Sequence, residues 1–201
     1  MDRFLNTALI IFVRNPELGK VKTRLAKSIG DEKTLAIYQM LLKHTFETTR
    51  DVGCRKFVYY ADNLTEYDLW NNPGYTKRLQ QGDGLGERMK NAFNDLFEQG
   101  FKKVLIIGSD CLELRTDILS TAITKLDQAD VIIGPAFDGG YYLLGMTSPV
   151  PELFSNVDWS TSHVLLQTTA KLDEYKMSYG LLEKLHDVDE AADLERSDIN
   201  H

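Results

Sequence analysis

The segment Thr7–Val13, TALIIFV, constrains the fold more than any other part of this chain. It is apolar at successive positions and is closed by Arg14-Asn15-Pro16. Such a run predicts a strand buried on both faces. Val104–Ile107 (VLII) has the same character, and Lys56–Ala61 (KFVYYA), Val131–Ile133 and Tyr141–Met146 are predicted as further strands. Segments with helical spacing lie between them. Asp31–Arg50 repeats Leu35, Tyr38, Leu41, Leu42, Thr45 and Phe46 along one face, with Gly53 shortly beyond its end. Leu85–Glu98 does the same with Met89, Ala92, Phe93, Leu96 and Phe97, and Gly100 stops it. Thr116–Leu126 is predicted helical, as is Ser160–Leu172 with Ser160 or Thr161 as N-cap. Strands alternating with helices of this length imply an α/β fold whose mostly parallel sheet is covered on both faces.

The 201 residues are 43% hydrophobic and 26% charged, enough to bury a real core and to exclude disorder as the main state. No repeat or long linker interrupts them, so residues 1–201 are expected to form a single domain. The net charge of −7 repels phosphate backbones and anionic lipid, which disfavours nucleic-acid partners and membrane surfaces. The longest early apolar run, Ala8–Val13, is six residues, too short for membrane insertion or a signal sequence. Cys54 and Cys111 form no CxxC pair, which fits a reducing cytoplasm.

In sheets of this kind a ligand sits beyond the carboxyl ends of the strands. That rule selects residues 14–24, 108–112 and 135–140. Between Arg14 and Lys27 the charge is +4, from Arg14, Lys20, Lys22, Arg24 and Lys27 against Glu17. A cationic loop after the first buried strand suits a phosphate chain, with Gly19 allowing close backbone approach. The alternative is a solvated basic loop. A Walker A motif is excluded, because Arg14 stands where its first glycine is required. Gln81–Met89, QGDGLGERM, opens a helix; Gly84 and Gly86 suit close approach to a ligand and Arg88 a phosphate contact, although a flexible turn would look the same. Asp110, just after a strand, can hold Mg2+ or Mn2+ against phosphates, or merely cap a turn. Asp138, with Gly139 and Gly140, can orient an acceptor or act as a base. Either Asp187 or Asp189 can complete a metal site with Asp110 or cap the short helix that follows.

Other chemistries find less support. His44, His163, His186 and His201 lack metal-ligand spacing, Ser109 lacks the flanks of a nucleophile elbow, and the carboxylate of Asp110 disfavours a Cys111 thiolate. Trp159, before Ser160-Thr161, is either a packing residue or part of an acceptor site.

Six segments together resemble a bacterial and archaeal family, the glycosyltransferase-like or radical-SAM/selenodomain-associated transferase 1 group (DUF2064-type). They are Leu9–Ala26, Gln81–Met89, Ile107–Leu114, Ile133–Met146, Asp158–Thr168 and Asp187–Leu194, in order along nearly the whole chain. The group lies within the nucleotide-diphospho-sugar transferase (GT-A) superfamily. The resemblance implies a three-layer α/β/α sandwich, a nucleotide over the N-terminal half and an acceptor over the C-terminal half. It assigns the phosphates to Lys20, Lys22 and Arg24 and the metal to Asp110 with Asp189 or Asp187; Asp138, Gly139, Gly140, Trp159, Ser160 and Thr161 are the residues expected to meet the acceptor. The sequence departs from the family at Leu112, where SDCP is usual, and Asp110 is not part of a DxD triplet, the metal motif common in GT-A glycosyltransferases.

Two reactions share this architecture. Nucleotidyl transfer builds charge on a departing pyrophosphate, which a Lys/Arg loop and a divalent metal offset. Glycosyl transfer releases a nucleoside diphosphate. The cationic loop and the lone Asp110 favour nucleotidyl transfer onto a phosphorylated small molecule; the family label favours a nucleotide-sugar donor. A non-catalytic nucleotide-binding module would be expected to have lost the carboxylates or the basic loop, and both are present.

Overall fold

The computed structural model describes residues 6–196; the outermost residues of the expected 1–201 domain, His201 among them, lie outside this range. The apolar runs become the middle of one seven-stranded sheet. In chain order its strands are β1 (Thr7–Val13), β2 (Arg55–Tyr60), β3 (Tyr75–Leu79), β4 (Lys103–Ile107), β5 (Val131–Pro135), β6 (Tyr141–Met146) and β7 (Tyr179–Leu181). Their spatial order is β3-β2-β1-β4-β6-β5-β7. Every pairing is parallel except those of β6, which runs antiparallel to both β4 and β5.

The helices are α1 (Thr23–Ile29), α2 (Asp31–Arg50), α3 (Leu85–Glu98), α4 (Thr116–Lys125), α5 (Val164–Glu174) and α6 (Ala191–Arg196). They cover the sheet on two sides and leave two separate cores. Leu9, Ile11 and Val13 of β1 point to one core with Leu25, Leu41 and Leu119; Ala8 and Ile10 point to the other with Phe93, Leu96 and Leu172. This alternation explains why TALIIFV is apolar throughout: each face of the strand meets a helical layer. The three-layer α/β/α expectation is met.

Several bounds differ from the sequence reading. α5 begins at Val164, with His163 rather than Ser160 or Thr161 at its N-cap position and no side-chain cap. Ser160 is held at φ +64°, and the Thr161 hydroxyl donates to the Asp158 carbonyl at 2.6 Å. The Ser160–His163 stretch is spent instead on docking against Gly139, whose carbonyl accepts the Leu165 N–H at 2.9 Å. Neither Asp187 nor Asp189 serves as the expected cap of α6: Asp193 Oδ2 accepts the Asp189 and Glu190 N–H groups, at 3.0 and 2.9 Å.

Candidate active site

β1 has β2 on one side and β4 on the other, reached by separate connections, so a crevice opens between the carboxyl ends of β1 and β4. Loop 14–22 leaves β1 there and is anchored at its root. Buried Asn15 donates to the Asn63 carbonyl at 2.9 Å and to Thr65 Oγ1 at 3.1 Å. The Tyr38 hydroxyl accepts the Arg14 N–H at 2.8 Å and donates to the Arg14 carbonyl at 3.2 Å. Burial, with Asp110 nearby, pushes the Tyr38 phenol up to about 12, so it stays protonated.

The five loop cations separate. Arg14 is exposed, and Lys20 pairs with Glu17 at 2.6 Å in the open. Lys22 behaves differently. Its backbone sits at φ +46°, a left-handed conformation uncommon for lysine, immediately before α1. The side chain is only 7% exposed, and Nζ lies 2.9 Å from Asp110 Oδ2 and 2.7 Å from Asp189 Oδ1. Arg24, in the first turn of α1, reaches Asp189 Oδ2 at 2.9 Å and Glu190 at 3.4 Å. Asp110 follows β4 as expected. Asp189 comes from a segment after β7 that runs along β5: Leu182 and Leu185 donate N–H bonds to the Ile133 and Pro135 carbonyls, and Val188 to that of Asp110.

The electrostatics follow from this clustering. Burial opposes the Lys22 ammonium, but Asp110 and Asp189 outweigh it and hold its pKa above the usual lysine value. Burial likewise opposes the Asp189 carboxylate, yet Lys22 and Arg24 pull it below the ordinary range. Asp187 goes the other way. Burial and the neighbouring Asp110, Asp138 and Asp189 charges push its carboxyl up to about 8, against a partial offset from Lys22. Asp138, Asp187, Asp110, Asp189 and Lys22 thus form one coupled group.

Among the described residues no set of three His, Cys, Asp or Glu side chains is arranged to hold a metal ion. The donor chemistry nevertheless suits Mg2+ or Mn2+. These ions take one or two carboxylates and complete their shell with water and phosphate oxygens. Asp110 and Asp189 already bring an oxygen each to a single cationic point, and the cation there is the Lys22 ammonium.

The remaining candidates flank this centre. Gly84 is the N-cap of α3, without a side-chain cap. Arg88 Nε donates to the Gly82 carbonyl at 2.9 Å, and its Nη1 lies 3.5 Å from Gln80, which itself donates to the carbonyls of Tyr59 and Val13. The close approach that Gly86 permits is to protein: a Cβ there would lie 2.1 Å from Trp159 Nε1. Trp159 stacks on Phe154, with ring centroids 6.4 Å apart, and presents an edge to Tyr141. Gly139, at φ +93°, lies so near Ser162 that a Cβ would come within 2.3 Å of its carbonyl oxygen. Asp138 Oδ1 accepts the Gly140 N–H at 2.8 Å. Gly139 therefore joins the 136–140 and 159–163 segments, while Lys22 joins the basic loop to the carboxylates.

A mostly parallel sheet with one reversed strand and a cleft at its carboxyl edge defines the fold of nucleotide-diphospho-sugar transferases. The chain belongs to the DUF2064 family, described as an uncharacterized protein conserved in bacteria, whose family model matches residues 44–161. A crystal structure from Desulfovibrio desulfuricans G20, of a candidate nucleotide-diphospho-sugar transferase, is similar at 30% identity and a TM-score of 0.89, over 97% of this chain and 88% of that one. The inositol-1-phosphate CTP transferase of T. maritima is similar in fold at 14% identity and a TM-score of 0.58, over 94% and 91% of the two chains. So is Rv0371C of Mycobacterium tuberculosis H37Rv in complex with manganese, at 11% identity and a TM-score of 0.60, over 96% and 98%. No curated protein sequence matches the chain. No helix among the described residues is long and apolar enough to cross a membrane.

Proposed function

We propose that this protein is a divalent-metal-dependent transferase that moves a nucleotidyl group onto a phosphorylated small molecule in the cytoplasm. The observation that carries this reading is the Lys22 ammonium held by Asp110 and Asp189 where β1 and β4 end. Two acids meet Lys22 and Arg24 at the carboxyl ends of the strands, where sheets of this kind take their ligands. A bound Mg2+ or Mn2+ would neutralise phosphate charge beside these acids.

The chain's own groups supply the rest. Lys22 can exchange a carboxylate for a phosphate oxygen, and the exposed Arg24 guanidinium can turn from Asp189 to a second one. Both would offset charge as an acceptor phosphate oxygen attacks the α-phosphorus and pyrophosphate departs. On this reading Arg88 and the uncapped start of α3 would serve the nucleotide. On the same reading Asp138, Gly139, Gly140, Trp159, Ser160 and Thr161 would serve the acceptor. The CTP transferase among the structures similar in fold supports this chemistry; the free Cys54 and Cys111 fit the compartment.

Glycosyl transfer is the second reading, favoured by the description of the relative at 30% identity. The basic loop would then grip a departing nucleoside diphosphate. Calorimetry at fixed salt, one base at a time, separates the two. Nucleotidyl transfer expects a triphosphate with Mg2+ to bind about tenfold more tightly than the matching nucleoside diphosphate sugar, one charged contact's worth. Tighter binding of the sugar nucleotide, with diphosphate released when acceptor is present, would establish the second reading. Binding of neither, with any base and either metal, would refute both.

A further inference from the structure

The segment that carries Asp187 and Asp189 has a second side. Ala136 bridges in parallel to Leu185, so residues 136–138 and 185–187 run abreast. Side chains alternate along such a pair. Asp138 and Asp187 share one side, where their charges couple. Phe137 and His186 share the other, with rings stacked 3.9 Å apart at 11°. There Glu113 takes both polar groups of one residue: the His186 backbone N–H donates to Oε2 at 2.8 Å, and His186 Nδ1 lies 3.2 Å from Oε1. An open cavity of about 500 Å³ adjoins this contact.

We propose that Glu113 is a positioning residue that sets the spacing between Asp110 and Asp189. This rests on the reading of those two acids as the working carboxylates of the site. Glu113 follows Asp110 by three positions, in the turn that leaves β4. The segment is therefore tied to that single turn on both sides of Asp187: at His186 through the Glu113 carboxylate, and at Val188 through the Asp110 carbonyl, at 2.9 Å. One residue further on, Asp189 meets Lys22. Releasing the tie at His186 leaves the stretch beyond the Leu185 bond to Pro135 with the Val188 bond as its one remaining backbone tie to the Asp110 turn, which frees Asp189 to shift away from the ammonium. Glu113 touches neither Lys22 nor Asp189, so it acts through the backbone.

Lys22 itself reports the outcome, in protein free of metal and nucleotide. An amine-reactive reagent with mass-spectrometric readout measures how often its ammonium leaves the two carboxylates. Lys56, at the start of β2, is the control, since it is 8% exposed and bound to the carbonyl of Val52 in the loop before that strand. Glu113→Ala is expected to raise Lys22 labelling about tenfold, the equivalent of one lost hydrogen bond to a charged group, with Lys56 unchanged. Glu113→Gln keeps an acceptor for the His186 N–H and is expected to restore most of the protection. Glu113→Asp, too short to serve both donors, is expected to fall between and covers the case in which the alanine variant does not fold. Unchanged Lys22 labelling would overturn the proposal. So would a parallel rise at Lys56, which would mean general loosening. Mn2+ binding by electron paramagnetic resonance, with a nucleoside triphosphate present, tests the underlying reading separately. If Lys22 responds to Glu113 and no variant or parent binds Mn2+, the positioning role stands and the metal assignment fails.

Discussion

Asp187→Asn is expected to stabilise the metal-free protein at neutral pH while damaging its site. The folded chain holds the Asp187 carboxyl at about 8, because burial and three neighbouring carboxylates oppose its charge. An unfolded aspartate titrates near 4. Between those values the native state keeps a proton that the unfolded chain has released, so stability falls as pH rises from about 4 to about 8, and is level above that. The full shift would correspond to about 5 kcal/mol. Water reaches this cluster and screens the neighbouring charges, which leaves about 1–3 kcal/mol. Asparagine cannot ionise and removes the slope. Urea titrations in EDTA at pH 5 and pH 8.5 measure it: the parent should lose stability between the two, and the variant should lose about 1–3 kcal/mol less. Parallel losses in parent and variant would refute the assignment of the raised carboxyl to Asp187. A gain in stability paired with loss of Mn2+-dependent nucleotide binding would mark the cluster as strained for function.

Arg24→Ala should weaken triphosphate binding by about 1.5–3 kcal/mol, one charge-assisted contact, in calorimetry at low salt. Its urea midpoint should hardly move, because the guanidinium is 65% exposed and exposed ion pairs contribute little. Gly86→Ala places a methyl group 2.1 Å from Trp159 Nε1. Displacing the indole should cost about 1–3 kcal/mol and shift its fluorescence, in spite of alanine's better helix propensity; a net gain in stability would show that Trp159 is free to move.

Much of this architecture is legible in the residues. β1, α2, α3 and β6 have the bounds that their apolar patterns imply, since each is decided by burial that leaves a clear period. β3 is not legible. Tyr75–Leu79 reads YTKRL, an edge strand with a buried tyrosine at its start and polar residues toward solvent. α1 is short, with Leu25 its one buried residue, and its start depends on the left-handed backbone of Lys22, which no pattern announces. Ser160 and Thr161 look like N-caps, but a tertiary contact with Gly139 takes precedence over local preference. At the site, Asp110 and the basic loop were identifiable as strand-end chemistry. That Lys22 would rest on Asp110 and Asp189 was not, because the partner acid lies 167 residues away. The Glu113–His186 contact left no signal either: the two are 73 residues apart, and nothing in the segment around Glu113 marks His186 as its partner.

Because β6 runs against its neighbours, the edge of the sheet facing the cleft changes character at one strand. β1, β2 and β4 finish there in carbonyl oxygens, whereas β6 starts there and offers amide hydrogens. The tip between β5 and β6, residues 136–140, is also a hairpin connection; it is pinned at Gly139, which has no room for a Cβ against Ser162, and exposed at Phe137 and Asp138, where substitution leaves the parallel strands in place. A library confined to that tip would diversify one end of the cleft and leave the other end's framework constant. The reversed strand thus gives the cleft one short border carried by a hairpin, while the parallel strands on either side serve as a fixed chassis.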